Sequence, residues 1–217
     1  MPEAKSLLHR YADYYAKNMG LRVFPCNGKI PATPHGCKDA TTGPAQIAEW
    51  LGGGSTYNVA IATGSGLVVL DVDADHDTGK FGDETLADLE RQYGPLPETW
   101  TCLTGGGGVH YYFQCDDPAL TVAAGFAPGL DYRGAGGYVI APPSIHPTTG
   151  RAYEWEASST PTSVPLAPLP DWLHRLMLQS KKESPNRQSA RRPPAKSQRG
   201  GEIRRCSALP PLCGQKG

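Results

Sequence analysis

Apolar positions near the start of the chain recur at spacings of three and four. Leu8, Tyr11, Tyr15 and Met19 fall on one face, which predicts an amphipathic helix over 5–19 ended by Gly20. "LRVFP" then predicts a short strand stopped by Pro25, followed by a long loop over 25–43. "PAQIAEWLG" carries Pro44 at a first helical position and Gly52 past the end, the signature of a short helix. "YNVAIAT" and "LVVLDVD" are unbroken apolar runs separated by "GSG", and both predict buried strands. Leu86, Leu89 and Tyr93 predict a helix over 83–93. Strands are expected at "TWTCLT", "VHYYFQ", "GLDYRG", "GYVIAP" and "RAYEWE", and a closing helix at "LPDWLHRLML" with Asp171 as its cap. Strands dominate the middle and helices sit near both ends, so the expected class is α+β rather than a regular βαβ array.

The sharpest break in the pattern is "LVVLDVDAD", where a buried strand runs into Asp71, Asp73 and Asp75. Like charges this close need something to offset them. On a strand, residues i and i+2 share a face, so Asp71 and Asp73 point one way while Val72 points into the core. Two carboxylates on one face suit a hard cation with oxygen ligands, and paired metals can clamp the oxygens of a phosphoryl transfer. Such a site usually takes a third carboxylate from elsewhere, and "GLDYRG" offers Asp131 after an apolar residue. Two other readings stand beside this one. Asp73, Asp75, Asp77 and Glu84 match positions 1, 3, 5 and 12 of a calcium loop, but Thr78 takes the glycine position and Gly79 comes one late. A plain acidic turn is the other.

"TGGGGVHYYF" combines a glycine run with His110. Such glycines can expose amides to phosphate or simply make a hairpin turn, and the absence of a following Gly-Lys-Ser/Thr excludes a Walker A loop. In "GLDYRGAGGYVIAPPSIHP", Asp131 and Arg133 share a face by the same alternation, an acid for metal beside a guanidinium for phosphate or a surface ion pair. Ser144 and His146 follow between prolines.

Charge divides the chain. The formal net charge is zero, with 21 Lys/Arg and 21 Asp/Glu, yet from Gln179 onward there are 10 Lys/Arg and 2 Asp/Glu. A catalytic domain over 1–178 is therefore expected to be acidic, and 179–217 reads as a basic, disordered tail able to touch nucleic acid non-specifically. The acidic body needs a metal or a local basic patch to bind DNA. The six cysteines contain no C-x-x-C pair and read as free thiols; His35 and Cys37 lie close in sequence but lack a second ligand pair for zinc. No run of about 18 apolar residues exists, and the first residues have no apolar signal region, so no membrane association and a cytoplasmic location are expected.

Four ordered motifs together resemble the bifunctional DNA primase/polymerase (Prim-Pol) domain of the archaeo-eukaryotic primase superfamily, of phage, plasmid and prophage type, over roughly residues 5 to 178. They are "HGCKDATT", "LVVLDVD", "GGVH" and "GLDYRGAGGYVIAPPSIHP". The resemblance implies an N-terminal α/β unit packed on an RRM-like unit, and two Mg²⁺ or Mn²⁺ ions at Asp71, Asp73 and Asp131. It implies that His110 contacts the phosphates of the incoming NTP or dNTP. It also implies that Arg133, Lys38, Ser144 and His146 line the nucleotide site. The expected activity is template-directed nucleotidyl transfer on single-stranded DNA in replication of a mobile element. Two departures stand out. Val109 precedes His110 where relatives often carry a larger or basic residue. No ATPase motif follows, so a separate replicative helicase is the expected partner, unless the chain is a truncated remnant. The alternatives are another metal-dependent phosphoryl-transfer enzyme, such as a nuclease or nucleotide hydrolase, and a non-catalytic single-stranded-DNA-binding accessory.

Overall fold

A computed structural model describes residues 6–74 and 79–183. Among these residues the chain forms four α-helices and two antiparallel sheets, an α+β arrangement. Asp75, Asp77 and Thr78, on which the calcium-loop reading turned, and most of the basic tail lie outside the described residues. No helix among the described residues is long and apolar enough to cross a membrane.

The first helix, α1 (Leu7–Met19), starts at Ser6, whose hydroxyl accepts the His9 amide. It ends at Gly20, which takes the left-handed conformation (φ 67°) that only glycine adopts without strain. Strand β1 (Val23–Asn27) runs through Pro25 instead of stopping there. The Pro25 carbonyl accepts from Ala32, on the side of the two-residue strand β2 (Ile30–Pro31). A strand residue directs its amide and carbonyl to the same side, so the missing N–H leaves the ladder to β3 (Asn58–Ala62) intact. The predicted 25–43 loop is thus partly a hairpin, and it continues into a 3-10 turn at Gly36–Asp39. Helix α2 (Pro44–Leu51) has Pro44 at its start as expected.

Strand β4 (Gly66–Val72) follows β3 closely, yet the two belong to different sheets. Helix α3 (Gly82–Tyr93) comes next, then β5 (Thr101–Leu103), β6 (Val109–Cys115), β7 (Val122–Ala127), β8 (Leu130–Arg133), β9 (Tyr138–Ile140), β10 (Glu154–Trp155) and α4 (Asp171–Glu183). The four-stranded sheet has the order β2-β1-β3-β9 and the six-stranded sheet β10-β5-β6-β4-β8-β7. The closing helix differs from expectation at its start: the Pro170 carbonyl accepts the His174 amide, so Asp171 sits inside the first turn rather than capping it.

Helices α1 and α2 pack on the four-stranded sheet, while α3 contacts β4 and β8 and α4 contacts β7. Two apolar clusters result. One joins Tyr15, Phe24, Ile47 and Ile61 to the Leu67, Val69 and Tyr112 face of the six-stranded sheet. The other joins the opposite face, through Val68, Leu70, Val72 and Phe113, to Leu86, Trp172, Leu173 and Met177. Strand β4 is therefore covered on both sides, which is why its sequence is a continuous apolar run rather than an alternating one.

Candidate active site

Alternation along β4 puts Leu67, Val69 and Asp71 on the face toward the four-stranded sheet. At Asp71 that cover gives way, and the carboxylate faces a cleft of about 350 Å³. The cleft also takes His110, Arg133 and Lys29, with the 136–140 segment as its opposite wall.

Strand register sets the contents of the site. Asp71 pairs with His110 on β6 and with Asp131 on β8, so the three side chains form one row across three strands. Arg133, two residues beyond Asp131, shares its face. The guanidinium lies 2.9 Å from Asp131 and 3.4 Å from Asp71. His110 Nε2 stands 3.4 Å from the other Asp71 oxygen. The His110 ring is 6 % exposed, packs against Tyr112 and Tyr153, and keeps a buried Nδ1 with no protein partner.

This setting drives the two aspartates apart. Burial pushes the Asp71 carboxyl up, but His110 and Arg133 outweigh it and bring it down to about 2. Asp131 is pushed up by burial, with Asp71 and Asp73 adding to the rise against the Gly125 amide and Arg133. The Gly125 N–H donates to Asp131 at 2.7 Å. Asp71 is thus a fixed anion, and Asp131 is the more easily protonated partner.

Asp73 lies one residue past the end of β4, but its amide still donates to the Gly129 carbonyl, and its charge adds to the rise at Asp131. Its carboxylate is half-exposed and bonds Lys80 Nζ at 2.8 Å. Lys80 also feels Asp131 and Asp71, so it belongs to the same electrostatic neighbourhood. No signal beyond its charge marked Lys80 in the sequence. Among the described residues no three His, Cys, Asp or Glu side chains converge as a ready metal cage. Instead Arg133 supplies the positive charge between Asp71 and Asp131. Asp71 and Asp131 offer the carboxylate oxygens that a hard divalent ion takes, with their charge met here by Arg133.

The other expected residues scatter. Ser144 is fully buried, and its hydroxyl is committed to Val59, accepting from the amide and donating to the carbonyl. It ties the 141–146 segment to β3, together with Asn58, which bonds Ile145. Lys38 is exposed on the 3-10 turn and does not line the cleft; Lys29, from the β1–β2 hairpin, does. His146 stacks obliquely on Tyr153, at 6.1 Å, and its Nδ1 accepts the Thr148 and Thr149 amides. Burial, Lys29 and Arg151 together lower its pKa, so it is neutral at pH 7. Of the possible zinc pair, His35 bonds Asp39 and the Cys37 thiol donates to the Gly136 carbonyl.

The glycine run forms the β5–β6 turn. The Gly107 and Gly108 amides are spent on Thr104, and the Thr104 amide donates to the Gly108 carbonyl. A Cβ on Gly108 would collide with the Val72 carbonyl oxygen, and one on Gly105 with the Arg151 carbonyl. Close backbone packing beside the site is by itself enough to require glycine at both positions.

A family model described as bifunctional DNA primase/polymerase, N-terminal (Prim-Pol), matches residues 12–172. Nothing among curated proteins matches the chain.

Proposed function

Because the chain belongs to the bifunctional DNA primase/polymerase (Prim-Pol) N-terminal family, whose description implies DNA and nucleotides as substrates, we propose that its cleft carries out template-directed nucleotidyl transfer, as primer synthesis, DNA polymerisation or both. The observation that carries this reading is the row of His110, Asp71 and Asp131 across three strands, with Arg133 bridging the two acids. The order β5-β6-β4-β8, with α3 between β4 and β5, supports an RRM-like unit beneath the site.

Asp71, Asp73 and Asp131 would hold Mg²⁺ or Mn²⁺. When bound, such ions would lower the pKa of the attacking 3′-hydroxyl and stabilise charge on the departing pyrophosphate. The remaining work belongs to the side chains. Asp71 stays ionised throughout the working pH range and is held in place by His110. Arg133 is positioned to exchange its carboxylate contacts for triphosphate oxygens, where a planar two-pronged donor is most effective. Lys29 adds positive charge in the cleft, and Lys80 adds it at Asp73. Charge that develops on the triphosphate is met by groups already oriented. Ser144 and the Gly105–Gly108 turn act at one remove, fixing the backbone around the row.

Replication of a mobile element, with a separate helicase and a cytoplasmic setting, completes the reading. Nucleotide incorporation on single-stranded templates, with NTPs and dNTPs compared in Mg²⁺ and Mn²⁺, tests it. Full activity after Asp71→Ala combined with Asp73→Ala would overturn it.

A further inference from the structure

A second and larger cavity, of about 740 Å³, adjoins the cleft at Tyr153. Four of its lining residues are aromatic, Tyr11 and Tyr14 from α1, Trp155 from β10 and Tyr153 itself, and Pro142, Pro143 and Pro161 lie among the rest. Arg10 and Glu154 are its charged members, and both are exposed. Tyr153 lines both cavities, so the two sites share a wall.

The aromatic floor is tied together by hydrogen bonds and ring contacts. Trp155 Nε1 donates to the Tyr15 hydroxyl at 3.1 Å, and that hydroxyl donates to the Pro142 carbonyl at 2.6 Å. The Tyr15 ring meets Tyr11, Tyr14 and Trp155 edge-on at about 6 Å. Tyr11, Tyr14 and Trp155 are only partly buried, so they retain exposed ring surface.

We propose that this groove is a base-stacking subsite for single-stranded DNA, receiving template bases as the strand approaches the catalytic cleft. Every nucleobase offers a π-face, so rings fixed beforehand bind a strand without choosing its sequence. Arg10 at the rim suits a phosphate or a second stacking partner. The surrounding body is acidic, which leaves stacking rather than charge as the source of affinity here. Contact with the cleft through Tyr153 favours a nucleic-acid strand over an unrelated ligand. Aromatic grooves also accept proline-rich peptides, and the chain's own tail contains "RRPPAK" and "ALPPLC", so that occupant is made an arm of the test.

The inference rests on the template-directed reading above, and the experiment separates the two. Full-length wild type, Tyr11→Leu/Tyr14→Leu and Tyr11→Phe/Tyr14→Phe are compared for binding of a labelled oligo-dT. EDTA is present, and the salt is high enough to screen the basic tail. Leucine keeps apolar packing and removes the π-face; phenylalanine keeps both. The leucine pair is expected to bind about tenfold or more weakly, and the phenylalanine pair as wild type. In incorporation assays the leucine pair should raise the template KM and leave kcat at saturating template unchanged. Unchanged oligo-dT binding and template KM in a folded leucine pair would overturn the subsite, even if wild type polymerises. Loss of binding to a synthetic 185–217 peptide, with DNA binding intact, would overturn it in favour of the tail. Oligo-dT binding lost only in the leucine pair, by a wild type that incorporates no nucleotide, would support the groove and refute the activity.

Discussion

Asp71 and Asp131 stand directly opposite one another on adjacent antiparallel strands, and their carboxyls are pushed in opposite directions. Arg133 reaches both and makes this arrangement tolerable. Removing it leaves two facing acids without the guanidinium that bridges them. Arg133→Ala is expected to lower stability by about 1–3 kcal/mol, read by urea denaturation at neutral pH. Arg133→Lys should fall between, since an ammonium cannot span both carboxylates as a guanidinium does. Added Mn²⁺ should raise the melting temperature of Arg133→Ala more than that of wild type, because it restores the missing positive charge.

The Asp71 shift sets an acid limb to stability. Its folded value of about 2 lies below the ordinary 3.8, so the unfolded chain binds its proton first. The stabilisation, about 2 kcal/mol, is fully present above the ordinary carboxyl value and is lost as pH falls through about 2. Asp131, shifted upward, works in the opposite sense over the same carboxyl range and offsets part of this. Urea midpoints between pH 5 and pH 2 should fall more steeply in wild type than in Asp71→Asn. Parallel curves would remove Asp71 as the cause.

Ser144 separates a structural role from nucleotide contact. Its hydroxyl is buried and occupied on both sides by Val59. Ser144→Ala should cost about 1–3 kcal/mol of stability and leave the nucleotide KM of the folded enzyme unchanged. A raised KM with normal stability would restore the direct contact that the family resemblance implies.

The β5–β6 turn is tested at Gly108. Any side chain there meets the Val72 carbonyl, immediately beside Asp71. Gly108→Ala should destabilise by about 1–3 kcal/mol on thermal unfolding. It should also reduce activity through displaced His110, since the turn leads straight into β6. A neutral substitution would mean that the loop accommodates the Cβ by shifting.

Much of the site could be read from residue spacing, because strand alternation and apolar runs are local properties. "LVVLDVD" declared a strand buried on both faces, and the i, i+2 rule placed Asp131 beside Arg133. Cross-strand register is not local. Nothing in the sequence says that Asp71 sits opposite both His110 and Asp131, and only the assembled sheet brings them into a row. Lys80, which bonds the Asp73 carboxylate, was not legible either, because that contact depends on the fold beyond the end of β4. Pro25 misled because the lost amide faces a two-residue strand rather than the main ladder. Strand β7 escaped notice because "VAAGFA" is small, half-exposed and without alternation. Lys38 and Lys29 exchange places as cleft candidates because hairpin geometry, not proximity to a motif, decides which lysine reaches the wall.

Incorporation of labelled dNTPs and NTPs on primed and unprimed single-stranded DNA, by wild type and Asp71→Asn in Mg²⁺ or Mn²⁺, is the most direct test of polymerisation at this row of side chains. Strand growth with pyrophosphate release by wild type, and background incorporation by a folded Asp71→Asn, is the expected result. Undiminished growth by Asp71→Asn, or strand cleavage or free phosphate without growth by wild type, would contradict it.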